Sequence, residues 1–295
     1  MSSAVKGSIE VEGQEVIISN PNKLLWPEAG VTKLIYLQKL VELAPYLLRR
    51  CDNRLLTTIR YPEGIHRPFF YQKSAPEPLP DFVVTSEHQG IRYVVLDSLP
   101  TLLWLGNLAS IEFHPSLHYI GETLPCEWII DLDPSIEEEP RIMEAASYVE
   151  EVLSSLGIES IPKTSGATGV QIIVPIDYGA VTFDELRALG HFVARYVTEK
   201  YPSLFTIERL KKNRGERIYF DYLQHYSGKT IAAAYTPLAK KVASVSTPLT
   251  WAEVRLNPKP SDFHLLNIGD RLQQTGDLLD QVSPQYLEPI LGHLS

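Results

Sequence analysis

The sequence predicts a mixed α/β protein in which layers of mixed or antiparallel sheet are covered by helices. Strand and helix patterns alternate irregularly along the 295 residues, several strand patterns are direct neighbours, and hydrophobic residues make up 44% of the chain. A regular alternation of strands and helices would instead indicate a doubly wound parallel sheet. The length suggests about two domains or subdomains at roughly 150 residues each. We place one approximate subdivision near residue 124.

The first half of the chain combines one long helix with several short strands. Residues 1–20 read as a leader followed by a strand over 15–19. Thr32 can cap a helix whose apolar residues recur at helical spacing as far as Leu48, and Pro45 should kink or interrupt that helix. The other predicted elements are strands over 55–60, 91–96 and 110–114, a Pro-rich loop over 61–80, and an apolar helix over 99–108.

The second half carries the most regular patterns. A buried strand over 128–130 runs directly into two aspartates and a proline. Thr182 and Glu185 form a capping box that predicts the start of a helix ending near Tyr201. The other predicted elements are a helix from Pro140 to Gly157, strands over 158–162, 170–175 and 218–223, a Ser/Gly loop over 164–169, a basic loop over 207–217, and short helices near 251 and over 269–279.

Charge and cysteine content exclude several classes of protein. Lys and Arg number 27 against 36 Asp and Glu, which gives a net charge of −9. Proteins that coat nucleic acid are usually basic, so nucleic-acid binding here requires local basic patches. The two cysteines cannot form a disulfide framework or a four-thiolate zinc site, and we expect free buried thiols. Without a signal-peptide pattern or a run of about 18 apolar residues, we expect a cytoplasmic protein with no membrane partner.

Two aspartates at the end of a buried strand are candidates for metal binding. Asp131 and Asp133 stand two residues apart, so their side chains should share one face of the strand. Close carboxylates repel each other unless a hard cation such as Mg²⁺ or Mn²⁺ lies between them. Asp221, the one acid within an apolar strand, is a candidate third ligand of a two-metal phosphoryl-transfer site. Alternatively, the pair merely ends a strand at a proline turn, and Asp221 faces solvent.

Two glycine-containing segments are candidates for phosphate-binding loops. The backbone N–H groups and hydroxyls of residues 164–169 could cradle a phosphate, or the segment is an ordinary turn. Gly228-Lys229-Thr230 resembles the end of a Walker motif, but Gln224 occupies the position where that motif needs glycine. A P-loop nucleotide-binding site is therefore excluded.

A basic loop and an aromatic pair could contact nucleic acid. Phe69 and Phe70 could stack on bases, although such a pair is more often buried in a core. The basic loop could neutralise backbone phosphates, or be a solvated loop, through Arg209, Lys211, Lys212, Arg214 and Arg217.

Nine segments, taken in order, resemble the polymerase domain of bacterial ligase D, which belongs to the archaeo-eukaryotic primase superfamily and acts in non-homologous end joining. The resemblance covers residues 15–285 and implies a single primase-polymerase domain with an RRM-like catalytic sheet. Residues 1–124 would bind the DNA end and template, and residues 125–295 would form the catalytic part. The segments are 20–27, 32–33, 69–73, 111–115, 131–134, 164–166, 221–224, 228–230 and 245–251.

The resemblance implies roles for individual residues. Asp131, Asp133 and Asp221 would bind two divalent ions, Mn²⁺ or Mg²⁺, and His114 would complete the catalytic group. The nucleotide would contact Ser165, Gly166, Thr168, Gln224, Lys229 and Lys240. Lys23 and Lys33 would hold a 5′-phosphate, Phe69 and Phe70 would stack at the template, and Lys73 and Arg214 would contact DNA.

Three positions depart from the family pattern, which usually reads Ser-Gly-x-Lys-Gly-x-His in the glycine loop. Thr168 and Gln171 stand at the Lys and His positions, and Leu238 stands where the family has an arginine. Lys240 and Lys241 lie close by in the sequence. We expect the triphosphate-binding part of this site to be less basic than in the family.

The resemblance implies a template-dependent nucleotidyl transferase that adds NTPs or dNTPs, with a preference for ribonucleotides, to DNA ends bearing a 5′-phosphate. No ligase or nuclease module is attached, so we expect a separate DNA ligase and Ku as partners in trans. One alternative is a catalytically silent DNA-end-binding module. Another is a metal-dependent phosphoesterase or nuclease that uses the same carboxylates.

Overall fold

The computed structural model describes residues 6–293, so the first residues of the predicted leader lie outside the described part. The described residues form two compact units, each assembled from three segments of the chain. The first unit holds the residues up to Ser116 with Thr230–Ser246 and Phe263–Gln274, and the second holds Leu117–Lys229, Thr247–Asp262 and the residues from Thr275 onward. A single domain with a subdivision near residue 124 stays a prediction.

The first segment of the first unit, described from residue 6 onward, contains two helices and three sheets. Its elements are β1 (Lys6–Val11), β2 (Gln14–Ser19), β3 (Leu24–Trp26), β4 (Val31–Thr32), α1 (Lys33–Cys51), β5 (Arg54–Arg60), β6 (Phe70–Gln72), β7 (Thr85–His88), β8 (Ile91–Val95), α2 (Leu99–Asn107) and β9 (Ser110–Tyr119). Strands β1 and β2 form a hairpin, and β3 pairs with β4. The larger sheet has the order β6-β5-β8-β7, with β9 paired to β5.

Helix α1 begins where the sequence predicts and continues past its proline. The Thr32 hydroxyl caps the helix by accepting a hydrogen bond from the Ile35 N–H at 3.3 Å. Of the two expected effects of Pro45, the interruption is wrong, because the helix runs unbroken to Cys51, and the kink stays a prediction. Buried leucines on both sides of the proline hold the two halves of the helix against the core, which offsets the lost backbone hydrogen bond.

The second unit is built on one five-stranded sheet. Its elements are β10 (Glu127–Asp133), α3 (Ile142–Ser155), β11 (Ile161–Thr164), β12 (Val170–Pro175), α4 (Phe183–Lys200), β13 (Phe205–Thr206), β14 (Ile218–Asp221) and α5 (Trp251–Val254). The strand order is β11-β12-β10-β14-β13. All neighbours are antiparallel except β13 and β14, which are parallel. Two short helices follow in the chain: α6 (Ile268–Thr275), which belongs to the first unit except for its last residue, and α7 (Glu288–Leu291), which belongs to the second.

One face of this sheet is covered by helix α4, which leaves the other face for polar groups. The capping box of Thr182 and Glu185 starts α4 as predicted. Gly190 of this helix lies against the Trp128 side chain of β10. Successive residues of a strand alternate between faces, so the even-numbered residues of β10 face the helix, and Asp131 and Asp133 project from the opposite face.

The mixed α/β class is confirmed, and most differences concern element boundaries. Residues 6–11 form a strand where the sequence suggested a leader, and β6 lies inside the predicted loop over 61–80. The strand expected over 158–162 forms at Ile161–Thr164 instead. Among residues 6–293, no helix has both the length and the apolar character needed to cross a bilayer.

Candidate active site

Three aspartates lie together on one face of the second unit's sheet. Strands β10 and β14 pair so that Asp131 stands directly opposite Asp221, and Asp133 stands opposite Tyr219. Directly opposed residues of antiparallel strands project to the same face. The predicted pair and the distant third acid therefore form one cluster, although the role of each residue is not established by this placement.

The cluster carries unfavourable charge that a cation would relieve. Burial, with the neighbouring carboxylates of Asp133 and Asp221, raises the pKa of Asp131 to about 8. Burial and Asp221 also raise the pKa of Asp133, and this shift is opposed by Arg214 and Lys211. Like charges that are close and poorly solvated favour the protonated form unless a positive group intervenes.

The Asp131 carboxylate has an oxygen available for a ligand. Its Oδ1 atom is buried and accepts no hydrogen bond. Buried oxygens are rarely left without a partner, and a hard divalent cation is the natural ligand of a carboxylate oxygen. With the side chains as they stand in residues 6–293, no three His, Cys, Asp or Glu groups are close enough to share one ion.

The basic loop reaches the edge of the cluster through Arg214. The Arg214 guanidinium lies 3.8 Å from the centre of the Tyr219 ring. It is fixed there by a hydrogen bond from its Nε to the Glu208 carbonyl at 2.9 Å. The Tyr219 hydroxyl in turn donates to Asp221 Oδ1 at 3.2 Å. Part of the loop's positive charge is therefore held beside the carboxylates by the loop's own backbone.

The glycine loop packs directly against the aspartate strand. Its Ser165 hydroxyl accepts hydrogen bonds from the Gly169 N–H at 3.1 Å and the Ala167 N–H at 3.3 Å. A Cβ atom built on Gly169 would lie 2.5 Å from the carbonyl oxygen of Leu132, the residue between the two aspartates. Only glycine permits this approach, which brings the loop backbone to the carboxylate cluster.

A buried lysine adjoins the cluster, and the sequence reasoning missed it. Lys163 is 1% exposed, and its Nζ donates to Gln171 Oε1 at 2.5 Å. The Gln171 side chain also hydrogen-bonds to Asp131. Burial lowers the pKa of Lys163 to about 8 in spite of the opposing effects of Asp131 and Glu127. A lysine between the predicted strand over 158–162 and the predicted glycine loop over 164–169 was the available signal.

Two further predicted nucleotide contacts belong to the second unit. Gln224 stands three residues beyond the end of β14, and its backbone nitrogen lies 3.4 Å from the Asp221 carbonyl oxygen. Lys229 is exposed, at the end of a turn closed by its N–H bond to the Tyr226 carbonyl at 3.1 Å. Their roles stay predictions.

The other predicted site residues lie in the first unit. There His114 Nε2 is 3.1 Å from Glu112 Oε2. The same glutamate accepts hydrogen bonds from the Tyr61 hydroxyl at 3.3 Å and from the Ala239 N–H at 3.2 Å. His114 is thus oriented by the buried Glu112 carboxylate, which is itself held by hydrogen bonds. Lys240, also in this unit, is exposed.

The two lysines predicted to hold a 5′-phosphate differ in accessibility. The Lys23 side chain is 28% exposed and forms an ion pair with Glu63 at 2.9 Å. Lys33 is 5% exposed, and its Nζ donates to the carbonyls of Ser19 at 2.7 Å and Asn107 at 2.8 Å. Burial lowers the pKa of Lys33 to about 8. A phosphate contact by Lys33 would require these backbone hydrogen bonds to be replaced.

The aromatic pair is exposed. Phe69 is 53% and Phe70 42% exposed, so neither ring lies in the core. Phe69 stacks on Tyr61 with the ring centres 5.2 Å apart, and the Arg60 guanidinium lies 5.1 Å from the centre of the Phe70 ring. Lys73 is exposed just beyond β6. This surface offers exposed aromatic rings and positive charge.

Comparison with known proteins gives consistent matches. Residues 32–279 match the model of the LigD primase-polymerase domain. The chain is 38% identical over 256 residues to the bifunctional non-homologous end joining protein LigD of Bacillus subtilis, covering 86% of this chain and 42% of that protein. It is 28% identical over 283 residues to the multifunctional non-homologous end joining DNA repair protein LigD of Mycobacterium tuberculosis, covering 91% and 37%. The chain thus spans about two fifths of the length of these relatives.

A solved structure shares the fold. It is the polymerase domain from Mycobacterium tuberculosis ligase D in complex with DNA, with a TM-score of 0.81 and 25% sequence identity. The match covers 90% of this chain and 96% of that one.

Proposed function

Because the chain belongs to the family of LigD primase-polymerase domains, we propose that it is a template-dependent nucleotidyl transferase that fills gaps and extends ends in double-strand break repair. The observation that carries this proposal is the meeting of Asp131, Asp133 and Asp221 on one face of a sheet. Three carboxylates beside the positively charged Arg214 suit phosphoryl transfer, because catalysis of that reaction depends on positioning and charge stabilisation.

Asp131, Asp133 and Asp221 are the residues that would hold Mn²⁺ or Mg²⁺. Ions bound there would acidify a primer 3′-hydroxyl and stabilise the departing pyrophosphate. The chain's own contribution is to fix the carboxylates through the pairing of β10 with β14. The glycine loop would present backbone N–H groups and hydroxyls to the nucleotide phosphates, with Ser165, Gly166 and Thr168 in contact.

Several groups would hold DNA. Lys23 would bind the 5′-phosphate at the break, and Lys33 would join it only after its hydrogen bonds to the Ser19 and Asn107 carbonyls are replaced. Lys73 and Arg214 would contact the backbone or template. Phe69 and Phe70 would stack on template bases, since their ring faces are exposed. In a chain of net charge −9, a few local cations would give a modest salt dependence of binding, corresponding to about 3–5 phosphates.

Other nucleotide contacts and the partners complete the proposal. Gln224, Lys229 and Lys240 would contact the nucleotide, with His114 near the primer end. NTPs would be preferred to dNTPs. A separate DNA ligase and Ku are the proposed partners, since the relatives are named as non-homologous end joining proteins.

A labelled-primer assay tests the proposal. A gapped duplex with a 5′-phosphate is incubated with NTPs and Mn²⁺, using the unaltered chain and the Asp133→Ala variant. We expect the primer to lengthen with the unaltered chain and not with the variant, whereas Asp177→Ala, at an exposed aspartate of the same unit, should retain extension.

The other outcomes identify the alternatives. Primer shortening that depends on Asp133 would indicate a phosphoesterase or nuclease. Equal absence of extension from both proteins, with 5′-phosphate-dependent DNA binding intact, would indicate a DNA-end-binding module without catalysis.

A further inference from the structure

Lys163 is the least exposed charged residue among the described residues 6–293, at 1% exposure. Burying a lysine carries a large desolvation cost, so a buried lysine needs partners that offset it. Its position on β11, one strand removed from the aspartate strand, makes the identity of these partners informative.

Four polar side chains form a row across four neighbouring strands. Lys163 on β11 stands opposite Gln171 on β12, and Gln171 stands opposite Asp131 on β10. Asp131 in turn stands opposite Asp221 on β14. Opposed residues share a face, so the row leads continuously from the lysine to the carboxylate cluster.

Hydrogen-bond chemistry fixes the direction of the Gln171 amide. An ammonium group can only donate, so the Gln171 atom that meets Lys163 Nζ must be the carbonyl oxygen Oε1. The amide NH₂ is then directed to Asp131, whose ionised carboxylate can only accept. Without the lysine, the amide could turn and place its oxygen against the carboxylate.

We propose that Lys163 is a positioning residue, which orients Asp131 for cation binding by locking the Gln171 amide. One part of the carboxylate is held by Gln171, and Oδ1 remains without a hydrogen bond in a buried position. This inference rests on the proposed function, because it concerns the carboxylates that would hold the ions. It assigns a function to the glutamine that replaces the family's histidine.

A different role for Lys163 makes the opposite prediction. If the lysine served only as a counter-charge to the carboxylates, it would compete with a divalent cation. Removing it would then strengthen cation binding, whereas loss of positioning weakens it. The sign of the change in Mn²⁺ affinity therefore separates the two roles.

The test measures the Mn²⁺ dissociation constant directly, by electron paramagnetic resonance of free Mn²⁺, on the full chain without DNA or nucleotide. Lys163→Met and Gln171→Leu should each weaken binding about 10-fold, as removal of an outer-shell partner of a metal ligand does. The double variant should weaken binding by the same factor, because the two residues act as one unit. Lys259→Met, at an exposed lysine of the same unit, should leave the affinity unchanged.

A conservative replacement supplies the rescue. A neutral histidine offers one donor and one acceptor nitrogen, so Gln171→His can accept from Lys163 and donate to Asp131. We expect it to bind Mn²⁺ within about 2-fold of the unaltered chain, well above Gln171→Leu. Thermal unfolding of each variant confirms that it is folded.

Several results would overturn the inference. One is unchanged or tighter Mn²⁺ binding by Lys163→Met. Another is a loss of affinity in the double variant equal to the product of the two single losses. A third is equal Mn²⁺ affinity of Gln171→His and Gln171→Leu. The last comparison decides alone if Lys163→Met does not fold. Lost binding in Asp131→Asn with unchanged Lys163→Met refutes only the positioning role. If the unaltered chain binds no Mn²⁺, the metal-dependent function fails as well.

Discussion

Replacing Gly169 by alanine tests whether the glycine loop must touch the aspartate strand. The new Cβ would lie 2.5 Å from the Leu132 carbonyl oxygen, so the two segments would separate by about 0.9 Å to reach ordinary contact at 3.4 Å. The carbonyl cannot yield easily, because Leu132 is paired on one side with Val170 and on the other with Phe220. The strain falls on the strand that carries both aspartates.

Two consequences follow from this strain. Overpacking in a well-ordered interior costs about 1–3 kcal/mol, and each kcal/mol lowers the Tm of a domain of this size class by roughly 2–4 °C. A displacement of about 1 Å at a reacting centre can reduce the rate on the order of 100-fold. Gly169→Ala should therefore lose extension activity by about that factor while remaining folded.

The measurements are thermal unfolding and single-turnover primer extension at saturating NTP. Gly7→Ala is the matched control, because a Cβ there meets no atom within 4 Å. If Gly169→Ala kept the Tm and the extension rate of the unaltered chain, the close approach of the glycine loop to the aspartate strand would not matter to the site.

Three further predictions concern charge and capping. In metal-free protein the pKa of Asp131 is raised to about 8, far above its value in an unfolded chain, so its ionisation costs stability as pH rises between those values. In EDTA, the Tm of Asp131→Asn should therefore exceed that of the unaltered chain by an amount that grows from about pH 5 to pH 8. Mn²⁺ should stabilise only the unaltered chain. A Tm difference that stays constant across this pH range would contradict the raised pKa of Asp131. Lys33→Met should destabilise the fold by about 1–3 kcal/mol for each backbone carbonyl left without its donor. Lys23→Met should instead lower the affinity for 5′-phosphorylated DNA with little change in Tm. Denaturant unfolding and DNA titration measure the two effects, and the reverse pattern would refute the assignment of Lys33 to the fold and Lys23 to DNA. Thr182→Ala should cost about 1 kcal/mol in urea unfolding by removing the capping box of α4, without lowering the extension rate per folded molecule.

Local signals predicted the helices well, because their ends depend on nearby residues. Thr32 and Thr182 cap their helices with hydrogen bonds to residues three positions on, a relation visible in the sequence. Pro45 misled because its effect depends on tertiary packing of the helix around it. Strand β6 was missed because its three residues are held by pairing with β5, a partner that local propensity cannot reveal.

The candidate site was predicted in its residue types and only partly in its contacts. The spacing of Asp131 and Asp133 fixed their common face, whereas their meeting with Asp221 depends on the pairing of two distant strands. The Lys163 interaction needs the registers of β11, β12 and β10 together. The need for glycine at position 169 arises from a neighbouring strand, so no local pattern could show it.

The pairing of β10 with β14 has a consequence for how the chain matures. The segments that supply the acidic cluster are far apart in sequence, so the cluster is absent from any partly folded species in which β14 is detached. A cation that requires all three groups would therefore favour the complete sheet over such species by mass action. If the three carboxylates hold a cation as proposed, chelation should increase amide hydrogen exchange in β14 before it affects helix α3, so that loss of the metal would be read first in the strand next to the edge of the catalytic sheet.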